Sequence, residues 1–416
     1  MKTKSFLTIC FQVKMAYKPK VLKSLKSPGF FMNTRKGTLY QLTNHNSEPL
    51  NLNHLIVSQS DFMHCEKLFE VLKEQNQSFK SYIGFSKEEE PKKFIYLSPI
   101  DYYKPQQTME ATSKSDTIKL YTTRGGYFEV SDEQYYKISK MINPDIIVSL
   151  TEIPTGKGKK SHKRSVEKTI GFLDKAISIF RPKSNGNSDE NENHTDKSTL
   201  IFGSIEGGQF DEQRKECVQK TLERDIDGVV LHGTESAETI EEKARQIALT
   251  MEYLGEHKES LYTVYSSKGT IQDILLGVSH GIDYFEVDYP NQLAHSHQAL
   301  NLDFDNKNYA ETQSLSNEEI LNALKVKQPK IFNMTEYEKY KESLIGFTDG
   351  CQCYSCQNHT QAYVAHLIKC KELTGTILIT IHNIHQYNIL FQQLQEAAEN
   401  QKLSNYISWF IKTNLI

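Results

Sequence analysis

"DIIVSLTEIPTGKGKKSHKRSVEKTIGFLDKAISIF", residues 145–180, sets two periodicities back to back. Residues 145–150 are an apolar, β-branched run with the length of a buried strand. Behind them, Val166, Ile170, Leu173, Ile177 and Phe180 recur every three or four residues and so share one helical face. A strand followed by an amphipathic helix is a β-α unit, and a succession of such units predicts a parallel sheet covered by helices.

The succession continues toward the C-terminus. "TLIFGS" (199–204), "GVVLHG" (228–233), "YTVY" (262–265), "GIDYFEV" (281–287) and "TILITI" (376–381) read as strands, with helical patterns at about 210–224, 236–255, 314–325 and 386–400. Five or six units, with no glycine-rich phosphate fingerprint after the first strand, favour an α/β chain folded as a (β/α)8 TIM-like barrel over a dinucleotide-binding sheet. One segment falls outside any core. "KSNGNSDENENHTDKS" (183–198) has no aliphatic or aromatic side chain to offset its ordering entropy, and is expected to be a disordered insert.

A length of 416 residues permits one large barrel or two to three ordinary domains. The expected division is a basic N-terminal segment (1–36), the barrel (37–345) and a C-terminal region (346–416) that holds a zinc subdomain and helices completing the barrel. A formal charge of -3 describes a soluble, weakly acidic chain, so any nucleic-acid contact must be local. The charge is unevenly spread: residues 1–36 hold nine Lys and Arg and no acid, the first acid being Glu48. "SFLTICF" (5–11) is too short and too polar-flanked for a signal peptide; the leader is read as a ragged terminus, with a weak mitochondrial address or a start at Met15 as alternatives. No apolar run approaches the roughly 18 residues of a membrane span.

Four of the seven cysteines fall within residues 351–370, a pattern of intracellular metal binding rather than of a secreted disulfide framework. This points to a reducing compartment, the cytoplasm, with peripheral attachment to the outer mitochondrial membrane as an option. In "TDGCQCYSC", Cys351, Cys353 and Cys356 can form a knuckle around one Zn2+, with Gly350 in the turn. A helix-patterned stretch (361–374) returns the chain so that His382, at the end of the strand-like "TILITI", closes the shell. Three thiolates and an imidazole with no open position make a structural site. His385, His366 and His359 are alternative fourth ligands, free thiols are the alternative for the cluster, and Cys370 reads as a packing residue.

"CQCYSCQNHTQAYVAHLIKCKELTGTILITIHN" resembles the zinc subdomain of the tRNA-guanine (queuine) transglycosylases. That resemblance implies zinc on Cys351, Cys353, Cys356 and His382. It extends through "KRSVEKTIGFLDKAI" (163–177), "IFGSIEGGQFDEQRKEC" (201–217), "RDIDGVVLHG" (224–233) and "GVSHGIDYFEVDYP" (277–290), and more loosely through "PGFFMNTRKGTLYQLT" (28–43). The implied activity exchanges guanine for queuine or a precursor at the wobble position of tRNAs with a GUN anticodon. It needs a carboxylate nucleophile, a second carboxylate as general base, and groups that read the extruded base.

Here the pattern departs from the family. Its nucleophile block, Gly-x-Asp-x-Phe-Asp then Pro-Thr-Arg, is Gly281 to Glu286 followed by Pro290, Asn291 and Gln292. Glu286 thus stands where the Asp belongs, and a displacement of about 1 Å can cost roughly 10²-fold. The general-base block best matches "TRGGYF" (123–128), which puts Thr123, unable to take a proton at neutral pH, in the place of the base. A base-reading Asp falls at Thr151 beside Glu152, a Gln falls at Glu206, and a Gly-Gly becomes His232-Gly233. Loss at four roles beside an intact zinc module implies a non-catalytic accessory chain, the degenerate partner in a heterodimer whose catalytic chain does the chemistry. A homodimer can form besides; an active transglycosylase using Glu286 and an unrelated zinc-containing RNA-binding protein are the alternatives. "TGKGKKSHKRSVEK" (155–168) holds six Lys and Arg at a strand's C-terminal end, so Lys157, Lys159, Lys160, Lys163 and Arg164 are candidate contacts to tRNA phosphates.

Overall fold

The computed structural model describes residues 17–63, 65–85, 92–99, 110–111, 116–121, 126–154, 158–182, 199–234, 237 and 239–416. Residues 183–198, read above as a disordered insert, lie outside them. Eight strands close into a barrel in chain order: β1 (Gly29–Asn33), β2 (His54–Ser58), β3 (Phe94–Ser98), β4 (Ile146–Val148), β5 (Leu200–Ile205), β6 (Gly228–Leu231), β7 (Tyr262–Tyr265) and β8 (Tyr284–Val287). The expected (β/α)8 architecture is therefore present. Pairing is parallel, as in Leu55 opposite Ile95 and Phe202 opposite Gly228. Strands β3, β4, β6 and β8 are buried along their whole length. Burial on both faces is why they appear in the sequence as continuous apolar runs instead of alternating ones.

The chain divides into two compact units. One takes Phe31–Thr38 and Asn53–Ser267, with helices α1 (Asp132–Ile142), α2 (Lys159–Phe180), α3 (Asp211–Leu222) and α4 (Ile240–Leu254). Side chains of Ser131 and Thr239 cap α1 and α4 by accepting backbone N–H bonds from Gln134 and Glu242. The other takes the chain up to Phe30, Leu39–Leu52 and Lys268–Ile416. It holds α5 (Ile271–Ser279), α6 (Tyr289–His295), β9 (Gln298–Leu300), α7 (Asn317–Val326), β10 (Ile331–Asn333), α8 (Tyr354–Asn358), α9 (Gln361–Lys369), α10 (Leu373–Glu399) and α11 (Leu403–Asn414). Strand β1 lies inside the stretch read as a basic N-terminal segment, so part of that stretch is barrel.

"TILITI" is a correction. Residues 376–381 are not a strand; they are part of α10, 27 residues long, which also absorbs the helix expected at 386–400. Residues 378–384 are all buried, and beyond them Gln386, Tyr387, Leu390, Phe391, Leu394, Ala397 and Ala398 continue the buried face at steps of three and four, a helical spacing. Burial along 20 residues outweighs the strand preference of a short β-branched run, worth tenths of a kcal/mol per residue. Thr380 adapts by donating its hydroxyl to the carbonyl of Thr376 at 2.9 Å.

Candidate metal centre and strand-end residues

Cys353 caps α8, its Sγ accepting the Cys356 backbone N–H at 3.3 Å, and Cys351 lies two residues earlier. The short helix thus turns three sulfurs to one side. His382 comes from the interior of α10, wholly buried. Its Nδ1 lies 3.8, 3.5 and 3.4 Å from the sulfurs of Cys351, Cys353 and Cys356, and all four donor atoms fall within 4.8 Å of one another. Bonds of about 2.3 Å to sulfur and 2.0–2.1 Å to nitrogen, at tetrahedral angles, place S and N about 3.6 Å apart. The four residues therefore fit one tetrahedral ion.

The imidazole is fixed by its other side. His382 Nε2 donates to the Leu300 carbonyl at 2.7 Å, which leaves the Nδ1 lone pair facing the sulfurs. Burial pulls the His382 pKa down, but hydrogen bonds and charge from the Cys351 and Cys356 thiols carry it up to about 9. Among the thiols, hydrogen bonds from Cys353 and Cys356 drive Cys351 far down, and hydrogen bonds to Cys351 and Cys356 drive Cys353 far up. Cys351, Cys353 and His382 thus compete for protons, and a cation bound among them would displace those protons. His359 and His385 are half-buried and His366 exposed, and none joins the group. Cys370, expected to pack, is instead exposed, 3.8 Å from His366 Nε2.

Packing holds the knuckle in place. Phe347 sits 4.8 Å from the His382 ring and belongs to an apolar cluster with Val364, Leu367, Leu378 and Ile379. Helix α10 then reaches backbone carbonyls of distant segments: Asn383 Nδ2 donates to Pro290 and Gln298, Tyr387 Oη to Gly269, and Asn388 Nδ2 to Leu50.

The strand ends carry a different chemistry. Glu286 is wholly buried in β8. Past the strand, Asp288 accepts from Asn291 Nδ2 at 3.1 Å and from Gln292 Nε2 at 2.8 Å, so the two residues that stand where the resemblance implies Thr and Arg are held by a local carboxylate. After β4, Thr151 bonds Thr169 of α2 at 3.0 Å, and Glu152 pairs with Lys168 at 2.5 Å. Lys168 Nζ also donates to the Thr117 carbonyl at 2.6 Å, and both ionic side chains are buried. After β5 and β6, Glu206 and His232 are buried, and the Arg214 guanidinium donates to the His232 carbonyl at 3.3 Å. Burial, and then Arg214, lower the His232 pKa to about 3, so the ring is neutral. Gly233 has φ +79°, a backbone conformation that strains any side chain, and a Cβ there would also lie 2.6 Å from Glu206 Oε2.

Of the other expected site residues, Thr123 and Lys157 lie outside the described residues. Lys159, Lys160, Lys163 and Arg164 are exposed at the start of α2. Lys159 pairs with Glu212, and Lys163 lies 4.0 Å from Glu167.

The family model for queuine tRNA-ribosyltransferase matches residues 18–415. The chain belongs to this family. Among its relatives, the zebrafish protein named queuine tRNA-ribosyltransferase accessory subunit 2 is 27% identical over 92% of this chain and 91% of its own. The human protein of that name is 26% identical over 91% and 90%. A Neisseria meningitidis queuine tRNA-ribosyltransferase is 26% identical over 68% and 65%.

Within a queuine tRNA-ribosyltransferase fold, three features escaped the sequence reading. The Glu152–Lys168 pair had one signal, a lysine on the buried side of α2 between Ser165 and Phe172. The hold of Asp288 on Asn291 and Gln292 was signalled by an acid just ahead of a helix that starts Tyr-Pro. Gln386, whose amide reaches Cys351, gave none.

Proposed function

We propose that this chain is the non-catalytic subunit of a two-chain queuine tRNA-ribosyltransferase, with one structural Zn2+ on Cys351, Cys353, Cys356 and His382. Its partner is the catalytic subunit, and the shared substrate is tRNA with a GUN anticodon. The observation that carries this reading is likeness along nearly the whole chain to proteins named as accessory subunits, in a sequence with Glu286 at the nucleophile position and Thr123 at the base position. The packing supports it. Glu152 is neutralised by Lys168, and Asn291 and Gln292 are occupied by Asp288.

Lys157, Lys159, Lys160, Lys163 and Arg164 are proposed to contact tRNA phosphates. Reversing Lys160, Lys163 and Arg164 to Glu should weaken tRNA binding by the complex and flatten its dependence on log salt by about 0.7–0.9 per lost phosphate contact. An unchanged slope removes this surface from the proposal.

The decisive experiment is a base-exchange assay with covalent trapping, using purified chain, cognate tRNA and labelled base, first alone and then with the catalytic chain. No adduct alone and exchange on mixing is the expected result. An adduct formed by the single chain and abolished by Glu286→Ala would make Glu286 a nucleophile and overturn the proposal.

A further inference from the structure

We propose that Gln386 is a positioning residue for the metal centre: its amide donates a hydrogen bond to the Cys351 thiolate and ties the ion to the backbone just beyond β9. The inference rests on the zinc reading above.

Gln386 lies on α10 one turn after His382 and is 1% exposed. Its Nε2 is 3.5 Å from Cys351 Sγ, and its Oε1 accepts the Leu302 N–H at 3.3 Å. The orientation of the amide follows from chemistry, because a backbone N–H can only donate; the oxygen must face Leu302, and the NH2 is left facing the sulfur. A thiolate on a metal is an acceptor, and a hydrogen bond to it draws off part of its negative charge. The same run of backbone is held twice more, by His382 Nε2 on the Leu300 carbonyl and by Asn383 Oδ1 on the Leu300 N–H at 2.9 Å. Three side chains of one helix, two of them also touching the ligand set or belonging to it, thus fasten Leu300 and Leu302 to the ion.

Two substitutions separate a thiolate donor from a mere backbone prop. Gln386→Met removes both hydrogen bonds at similar volume. Gln386→Glu, read from pH 7 to pH 10, keeps an acceptor for Leu302 and, once ionised, turns a carboxylate toward the thiolate. In the full-length zinc-loaded chain, metal transfer to a chromophoric chelator should be roughly 10- to 100-fold more favourable for Gln386→Met than for wild type, and more favourable again for Gln386→Glu. In the cobalt-substituted chain, the sulfur-to-metal charge-transfer band of Gln386→Met should move to longer wavelength, since a thiolate without its donor is more easily oxidised. If Gln386→Met does not fold, Gln386→Glu carries the test alone. Wild-type metal retention in Gln386→Glu, whatever Gln386→Met does, overturns the inference. A wild-type chain that retains no metal overturns the zinc reading itself and the inference with it.

Discussion

The knuckle around His382 and the ends of the barrel strands are both buried and polar, yet they are built on opposite plans. At the knuckle four donor atoms from two segments converge on one point, within 4.8 Å of one another. At the strand ends several polar groups turn to neighbours, Glu152 to Lys168, Asn291 and Gln292 to Asp288, Arg214 to the His232 carbonyl, while the two ring nitrogens of buried His232 have no hydrogen-bond partner among the described residues. Convergent donors suit a ligand, whereas donors and acceptors matched among neighbouring side chains suit an interior. On the reading proposed above, the contrast separates a metal site from strand ends whose polar groups serve packing.

The strongest way to break the contrast is to remove a sulfur. Cys353→Ser should abolish retention of an equimolar metal ion and lower the melting temperature of the chain by many degrees, because binding energy at a structural site, on the order of 10 kcal/mol in small zinc modules, is folding energy. Metal content by atomic absorption and a thermal melt check both. Metal content equal to wild type would show that the cluster is not the binding site.

Next in size is the buried pair. Lys168→Met leaves the Glu152 carboxylate without its cation in the interior and should cost about 3–5 kcal/mol in urea unfolding. Adding Glu152→Gln should recover most of that loss, since an amide tolerates burial that a lone carboxylate does not. Equal stabilities for the single and double variants would mean that Glu152 has another source of charge compensation.

A smaller effect is expected from His232, through pH. Its folded pKa, about 3, lies below the ordinary value of 6.5, so below pH 6.5 the unfolded chain binds a proton that the folded chain refuses. Stability therefore falls as pH falls from about 6.5 toward 3, by about 2 kcal/mol from this group between pH 7 and pH 5. His54, lowered to about 4 chiefly by burial, adds a loss of the same sign. His232→Asn should flatten the acid limb of stability against pH by its own share and leave that of His54. An unchanged slope would mean that His232 is protonated or exposed in the folded chain.

Legibility in the sequence followed how local the determining physics is. Strands β4 to β8 were readable because each is a short apolar run set between helical stretches. Strands β1, β2 and β3 are as well buried, but "GFFMN", "HLIVS" and "FIYLS" stand outside that regular alternation. The cysteine spacing announced the knuckle, and His382 was found although its element was misread. Tertiary pairing left little trace. Nothing in "TEIP" says that Glu152 will meet a lysine 16 residues on, and nothing in "HQYN" sends Gln386 to a sulfur 35 residues back.

The finest test of the contrast is expected to give no effect at all. Glu286 is a carboxylate at the position proposed for the nucleophile, and if the strand ends are interior rather than site, that carboxylate should be dispensable to the reaction. In an assembly with the catalytic chain, Glu286→Gln should leave the rate of base exchange within about twofold of wild type. Glutamine is the right replacement because it keeps volume and hydrogen-bonding atoms while removing the nucleophile. A fall of 10²-fold or more, with metal content and melting temperature unchanged, would place Glu286 in the chemistry. A fall that tracks a lower melting temperature would instead make it part of the packing, as its complete burial suggests.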